Sequence, residues 1–430
     1  MEIVAIILFV LILVFLLLGY PVAITLGGLS ILFGLIFVPD FLDLLPLRIM
    51  GIMENSVLMA VPLFIFMGLM LEKSGLAEKL LEAMAMLFGR INGGLAISVV
   101  VVGALLAAST GIVGATVITM GLISLPVMLK RGYSPELATG VIASSGTLGQ
   151  IIPPSIVLVL LGSVMNVSVG DLFKAAFVPG FTIVLVYVVY ILIVAKLNPK
   201  TAPAIPEEEV AEFRKDNYYS KLFKAFVLPL ALIVIVLGSI FLGIASPTEA
   251  AAVGALGAIL LTWTQGQYSW SIMKNVSEKT SHLTSMVFLI LLGATTFSLV
   301  FRGLGGEKFL IEVIEQSNLG KYTFLFLVML VIFIAGFFID FIEIVFIIVP
   351  VVTPLFAAYD FDLIWVGILI ALNLQTSFLS PPFGFALFYL KGVAPPEITT
   401  GKLYRGVVPF LVLQLLVVLL VFFFPEILLN

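Results

Sequence analysis

Apolar runs long enough to bridge a bilayer recur from one end of the chain to the other, and they close off most folds. The clearest occupy residues 3–18, 57–71, 226–242, 324–338 and 407–424. A helix needs roughly 17–25 mostly apolar residues to cross the hydrocarbon core. Composition agrees: 62% of residues are hydrophobic and 11% charged, with a mean hydropathy of +1.27. Soluble domains run about 45–50% apolar and about 25% charged. The expected fold class is an all-α polytopic membrane protein filling almost the whole 430 residues. No cysteine is present, which excludes a disulfide frame and thiol chemistry. The opening stretch lacks the basic region of a secretory signal, since Glu2 is its only charge and Arg48 is the first basic residue. It reads as a retained span with its N-terminus outside.

Ordinary spans are expected at about 3–19, 22–38, 55–72, 135–165, 175–195, 225–243, 248–263, 281–301, 363–390 and 406–424. Two further regions, about 92–130 and 322–358, could each hold two passes but are interrupted midway. The interruptions are Ala108-Ser109-Thr110-Gly111-Ile112-Val113-Gly114-Ala115 and Gly336-Phe337-Phe338-Ile339-Asp340-Phe341-Ile342-Glu343. Both regions read as re-entrant hairpins, because non-helical backbone at membrane depth needs cover from protein or a water-filled cavity. Two ordinary spans are also broken. Ser144-Ser145-Gly146-Thr147-Leu148-Gly149-Gln150-Ile151-Ile152-Pro153-Pro154-Ser155 interrupts 135–165, and Asn373-Leu374-Gln375-Thr376-Ser377-Phe378-Leu379-Ser380-Pro381-Pro382 interrupts 363–390. Tandem prolines remove two backbone donors and push the preceding residue out of the helix.

These features repeat. Adding 228 carries Gly75-Leu76 onto Gly303-Leu304, Pro126 onto Pro354, and Pro153-Pro154 onto Pro381-Pro382. Near the start the offset is 226, taking Pro21 to Pro247 and Gly28 to Gly254. Residues 1–200 and 225–430 therefore read as two copies of one unit, joined by a cytoplasmic linker at 201–224. Each copy holds five spans and one re-entrant hairpin. Five crossings invert the second copy. Basic residues, which collect on the cytoplasmic side, fit this: Lys73, Lys79, Arg90, Lys130 and Arg131 at the first hairpin's base, and Lys196, Lys200, Arg214, Lys215, Lys221 and Lys224 in the linker. Asp40, Asp43, Asp171, Asp360 and Asp362 mark the opposite side, so both termini are expected to be periplasmic. Inverted repeats with broken helices place a binding site near the bilayer midplane, where the interruptions converge.

The motifs Ala107-Ala108-Ser109-Thr110-Gly111, Gly146-Thr147-Leu148-Gly149-Gln150-Ile151-Ile152-Pro153-Pro154-Ser155, Ser246-Pro247-Thr248-Glu249-Ala250-Ala251-Ala252-Val253-Gly254 and Asn373-Leu374-Gln375-Thr376-Ser377 resemble those of a known family. The whole chain is similar to the large membrane subunit of tripartite ATP-independent periplasmic (TRAP) transporters, the DctM-like family. The resemblance implies Na⁺-driven uptake in a bacterial inner membrane. It implies an elevator, in which a transport domain built around the hairpins moves against a scaffold. It also implies three partners besides the surrounding lipid: a separate four-span DctQ-like membrane subunit, a periplasmic solute-binding protein, and the small carboxylate or sugar acid it delivers. Nucleic acid has no part in this reading.

The first cation site is expected among Ser109, Thr110, Gly111, Ser145, Gly146, Thr147 and Gly149, whose hydroxyls and freed carbonyls are hard oxygen ligands suited to Na⁺. The competing reading is that small residues simply let membrane helices pack closely. The pseudo-symmetric site is expected to use Asp340, Asn373, Gln375, Thr376 and Ser377. Asp340 stands out because an intramembrane carboxylate costs roughly 2.5–3.5 kcal/mol even on the mildest scale; Glu343 is a weaker candidate. Glu249 reads as a helix-starting carboxylate behind Pro247, and His282 as an interfacial residue. Residues 72–90 read as an amphipathic helix lying on the cytoplasmic surface, with Leu76, Leu80, Leu81 and Met84 on one face. A single-component Na⁺/carboxylate transporter of related architecture is the nearest rival, and a passive channel fits the repeated breaks less well. An intramembrane hydrolase has against it the lack of a His-Glu-x-x-His helix and of a Gly-x-Ser-x-Gly elbow. Nor does the chain carry a phosphate-binding Gly-Lys-Ser/Thr loop, so an enzyme is not expected.

Overall fold

The computed structural model describes residues 1–73, 75–110, 113–215, 222–317 and 319–426, and every regular element among them is helical. Among the described residues six helices are long and apolar enough to cross a membrane: Ser56–Lys73, Val113–Lys130, Val169–Leu197, Phe223–Phe241, Trp270–Gly303 and Thr400–Phe423. The bent pair Phe341–Ile347 and Val349–Ala358, which turns through 51°, makes a seventh if counted as one span. This is fewer than the sequence suggests, and the reason is length rather than polarity. Glu2–Leu17 and Val22–Phe37 are as apolar as the rest but hold 16 residues each, about 24 Å at 1.5 Å per residue.

The outer helices show how lipid replaces water as solvent. Glu2–Leu17 exposes Ile3, Ile7, Val10 and Val14 at helical spacing and turns Ala5, Leu8 and Ile12 inward, all three fully buried. An apolar stripe of that kind on both flanks of a helix suits a bilayer. Inside, Gly27 and Gly293 let Val22–Phe37 cross Trp270–Gly303 at near-backbone contact.

The first hairpin pairs Gly94–Thr110 with Val113–Lys130, so residues 108–110 and 113–115 of the interruption read from the sequence are helical. The second pairs Lys321–Ala335 with the bent Phe341–Ile347 and Val349–Ala358. Its base is closed by rings, Phe324 stacking on Tyr359 at 5.0 Å and meeting Phe356 at 5.4 Å. The first broken helix consists of Pro135–Gly146 and Ile156–Met165, the second of Leu363–Leu379 and Phe385–Val393. The peptide bonds Pro153-Pro154 and Pro381-Pro382 are both cis.

Three expectations change. The amphipathic segment forms the helix Leu76–Phe88, but its apolar residues Ala77, Leu80, Leu81 and Met84 are buried against the protein, beside Gly94–Thr110, and not laid on lipid. The linker is not a plain loop. It holds the helix Glu207–Lys215 and straps the base of the first hairpin through Gly93 N–H to Ala202 O (2.8 Å), Ser134 N–H to Thr201 O (2.9 Å) and Ile205 N–H to Gly89 O (2.8 Å). Arg131 then forks onto both carboxylate oxygens of Glu209. Finally, the span expected at 281–301 is a 34-residue helix that begins at Trp270, capped by the Ser269 hydroxyl accepting from Ile272 N–H. Glu249 behaves as expected, closing a capping box with Ser246 at the start of Pro247–Thr264.

Candidate functional site

At the first break the helix stops at Gly146, turns once through Leu148–Gln150, and restarts at Ile156. Ser155 manages the restart, its hydroxyl donating to Gln150 O (2.7 Å) and accepting from Leu158 N–H (3.5 Å). Ser145 and Thr147 are fully buried, and each hydroxyl donates to the carbonyl three residues back, Ile142 O (3.1 Å) and Ser144 O (2.9 Å). A hydroxyl that has donated its proton keeps lone pairs for a cation. The amide oxygen and nitrogen of Gln150, also fully buried, have no partner among the described residues. Gly149 sits against the first hairpin so closely that a methyl group there would run into the Ala107 carbonyl oxygen. Ser109 and Thr110 end the helix Gly94–Thr110, but their side chains, like all of Gly111, lie outside the described residues.

The second break differs from its expected form. Asn373, Gln375, Thr376 and Ser377 do not unwind the chain; the helix runs unbroken from Leu363 to Leu379. Their side chains do not compete with the helix. Asn373 donates to Met329 O (2.7 Å) in the second hairpin, Thr376 to Leu372 O (2.7 Å) and Ser377 to Leu374 O (2.8 Å). Only Pro381 ends it, with Ser380 extended just before. Ser377 lies against Gly336 at the hairpin's tip, where a methyl would collide with its hydroxyl. Gln375 is fully buried and, among the described residues, unpaired at both amide atoms.

Asp340 occupies the N-cap of Phe341–Ile347, accepting from Phe341 N–H at 2.7 Å. Glu343 is in the first turn beyond it, within the helix and not in the interruption. Asp340 opens onto a cavity of about 220 Å³. Its walls are Val113, Gly114, Ala115 and Ile118 from the first hairpin, Asp340 and Phe341 from the second, and Phe378, Phe385 and Tyr389 from the second broken helix. Elements far apart in sequence thus meet in one place, although no described residue of the first broken helix lines it. Of the named candidates, Asp340 alone lines this cavity among the described residues; Ser145, Gly146, Thr147 and Gly149 lie buried away from it. Phe341 and Phe378 lie inside the quoted interruptions, whereas Phe385 and Tyr389 carry no sequence signal, being aromatic residues in an apolar run. Gln150 lay inside a recognised motif and could have been chosen for its buried amide.

A family model described as tripartite ATP-independent periplasmic transporter, DctM component, matches residues 9–427. The chain belongs to that family. The C4-dicarboxylate TRAP transporter large permease DctM of Pseudomonas aeruginosa is 33% identical over 402 residues, 93% of this chain and 91% of that protein. The ectoine TRAP transporter large permease TeaC of Halomonas elongata is 30% identical over 418 residues, 96% and 95% of the two chains. Among solved structures, the Alcanivorax borkumensis YdaH transporter superposes with a TM-score of 0.65 at 14% identity, covering 94% of this chain and 96% of that one, a likeness of fold. This TRAP large permease is therefore a multi-pass inner-membrane transport protein and not an enzyme. Permeases of its kind work in secondary uptake beside a small permease subunit and a periplasmic binding protein.

Proposed function

We propose that this permease takes up a small carboxylate or sugar acid, handed over by a periplasmic binding protein, in symport with Na⁺. The observation that carries the reading is the cavity walled by both hairpins with Asp340 at its edge. A carboxylate substrate beside the Asp340 carboxylate is repelled in a poorly screened site, and a cation between the two removes the conflict. Ser145 and Thr147 hydroxyls with the loosened carbonyls of Gly146 and Gly149 form the first Na⁺ site together with Ser109, Thr110 and Gly111. Asp340, Asn373, Gln375, Thr376 and Ser377 serve the second. The dicarboxylate and ectoine relatives support a small, carboxylate-bearing cargo.

In this reading the chain is two inverted repeats, 1–200 and 225–430, joined by the strap at 201–224, with both termini periplasmic. The hairpins and broken helices, with Val169–Leu197 and Thr400–Phe423 packed on them, ride as one body past a scaffold that includes Val22–Phe37 and Trp270–Gly303 and is stiffened by a DctQ-like subunit of four spans. Proteoliposomes holding the permease and its small subunit, given the binding protein and a panel of organic acids, test it: uptake requires an inward Na⁺ gradient. Full uptake without Na⁺, or without any binding protein, overturns the proposal, the second outcome favouring a single-component carrier. Cysteine labelling that put residues 130 and 360 on one side of the membrane would overturn the inverted repeats.

A further inference from the structure

Behind the first break lies a polar cluster that the cation reading leaves unused. Ser144, Tyr187 and Gln414 come from three helices, Pro135–Gly146, Val169–Leu197 and Thr400–Phe423. Ser144 and Tyr187 are fully buried, and Gln414 is 1% exposed. The helices meet closely. The Gly406 carbonyl abuts Gly140, and the Phe410 ring stands edge-on to Tyr187 at 5.1 Å while touching the same Gly140. Ser144 is one turn beyond Gly140 and Gln414 one turn beyond Phe410, so the two side chains follow one another along the same seam. The Tyr187 and Ser144 hydroxyls interact without meeting full hydrogen-bond geometry, and neither amide atom of Gln414 has a partner among the described residues.

Buried polar groups in native proteins are almost always hydrogen-bonded. The cluster mixes donors and acceptors: two hydroxyls, an amide N–H pair and an amide oxygen. A bare cation takes only acceptors and leaves the amide nitrogen unpaired. Water takes both, and internal waters typically make about three such bonds. We propose that Ser144, Tyr187 and Gln414 hold a single buried water that fixes the end of Pro135–Gly146 and so positions the first cation site. The link is direct. Thr147 donates to the Ser144 carbonyl at 2.9 Å, and Ser145 is the next residue, so what pins Ser144 pins the oxygens in front of it. The inference rests on the reading of Ser145 and Thr147 as Na⁺ ligands.

The test titrates Na⁺ against uptake by the complete transporter with its binding protein. Gln414→Leu expels the water, and the half-saturating Na⁺ concentration should rise roughly tenfold, the low end for groups that orient metal ligands. The substrate KM at saturating Na⁺ should hold. Tyr187→Phe loses one oxygen and should move the same quantity about threefold, the scale of one hydrogen bond; it carries the test if Gln414→Leu folds poorly. Ser145→Ala probes the cation reading by itself. A raised Na⁺ requirement in Ser145→Ala, with wild-type values in the other two, overturns the water and leaves the cation site standing. Wild-type values in all three overturn both. A density map of the purified complex fine enough to resolve waters gives an answer independent of transport: ordered solvent within reach of all three side chains is expected, and a protein-only contact there sinks the proposal.

Discussion

Around Pro153-Pro154 every residue from 141 to 162 is buried, whereas around Pro381-Pro382 the chain surfaces at Pro382 and Phe383. The first break is long, lined by hydroxyls and an unpaired amide; the second is short and walled by Phe378, Phe385 and Tyr389. In the proposed reading the same proline pair serves two ends. Under the proposed function a break with no route to solvent takes a ligand stripped of its own water, which suits a small cation. An aromatic wall with one carboxylate suits a larger solute.

Breaking that comparison begins at Asp340. Asparagine caps helices as well as aspartate, so Asp340→Asn removes charge and leaves Phe341–Ile347 in place. Uptake should fall at least tenfold, since hydrogen bonds to charged groups are worth about 1.5–3 kcal/mol, with thermal unfolding in detergent unchanged; wild-type uptake removes Asp340 from the site. Gly149→Ala tests the dry break by thermal unfolding. Its methyl meets the Ala107 backbone and should cost about 1–3 kcal/mol. Gly238→Ala, with nothing within 4 Å, is the control and should cost nothing. Tyr389→Phe sharpens the aromatic side: the KM for the acid should rise roughly threefold to tenfold for one lost hydrogen bond, with Na⁺ half-saturation unmoved.

The smallest effect lies away from both breaks. The hydrogen bond from Arg131 holds the Glu209 carboxyl below the usual glutamate range. Its stabilisation is complete above the unfolded glutamate pKa and fades as pH drops through the lowered folded value. Because the pair is partly exposed, Glu209→Gln should cost at most about 1 kcal/mol near neutral pH. That difference should shrink in high salt and vanish in strong acid, as urea or thermal unfolding at several pH values can read.

Hydropathy made the apolar helices, the two hairpin regions and both proline pairs legible, because each depends on local chemistry. It missed the first eleven residues of Trp270–Gly303, whose Lys274 and Glu278 look like loop but pair at 3.8 Å along one helix face. Charge does not stop a helix; it only moves it out of lipid. Glu207–Lys215 was hidden for the same reason. The second break was read too early, at Asn373, because nothing local announces that the Met329 carbonyl waits to occupy its amide. Most of the cavity wall falls in the quoted interruptions; Ile118, Phe385 and Tyr389 were hidden among apolar residues that only tertiary packing separates.

Glu2–Leu17 and Val22–Phe37, at about 24 Å each, fall short of a hydrocarbon slab of about 30 Å. Lipid that meets them can thin toward their ends, at a fraction of a kcal/mol per ångström. A bilayer built from shorter fatty acids would match these two helices with less deformation than a thicker one.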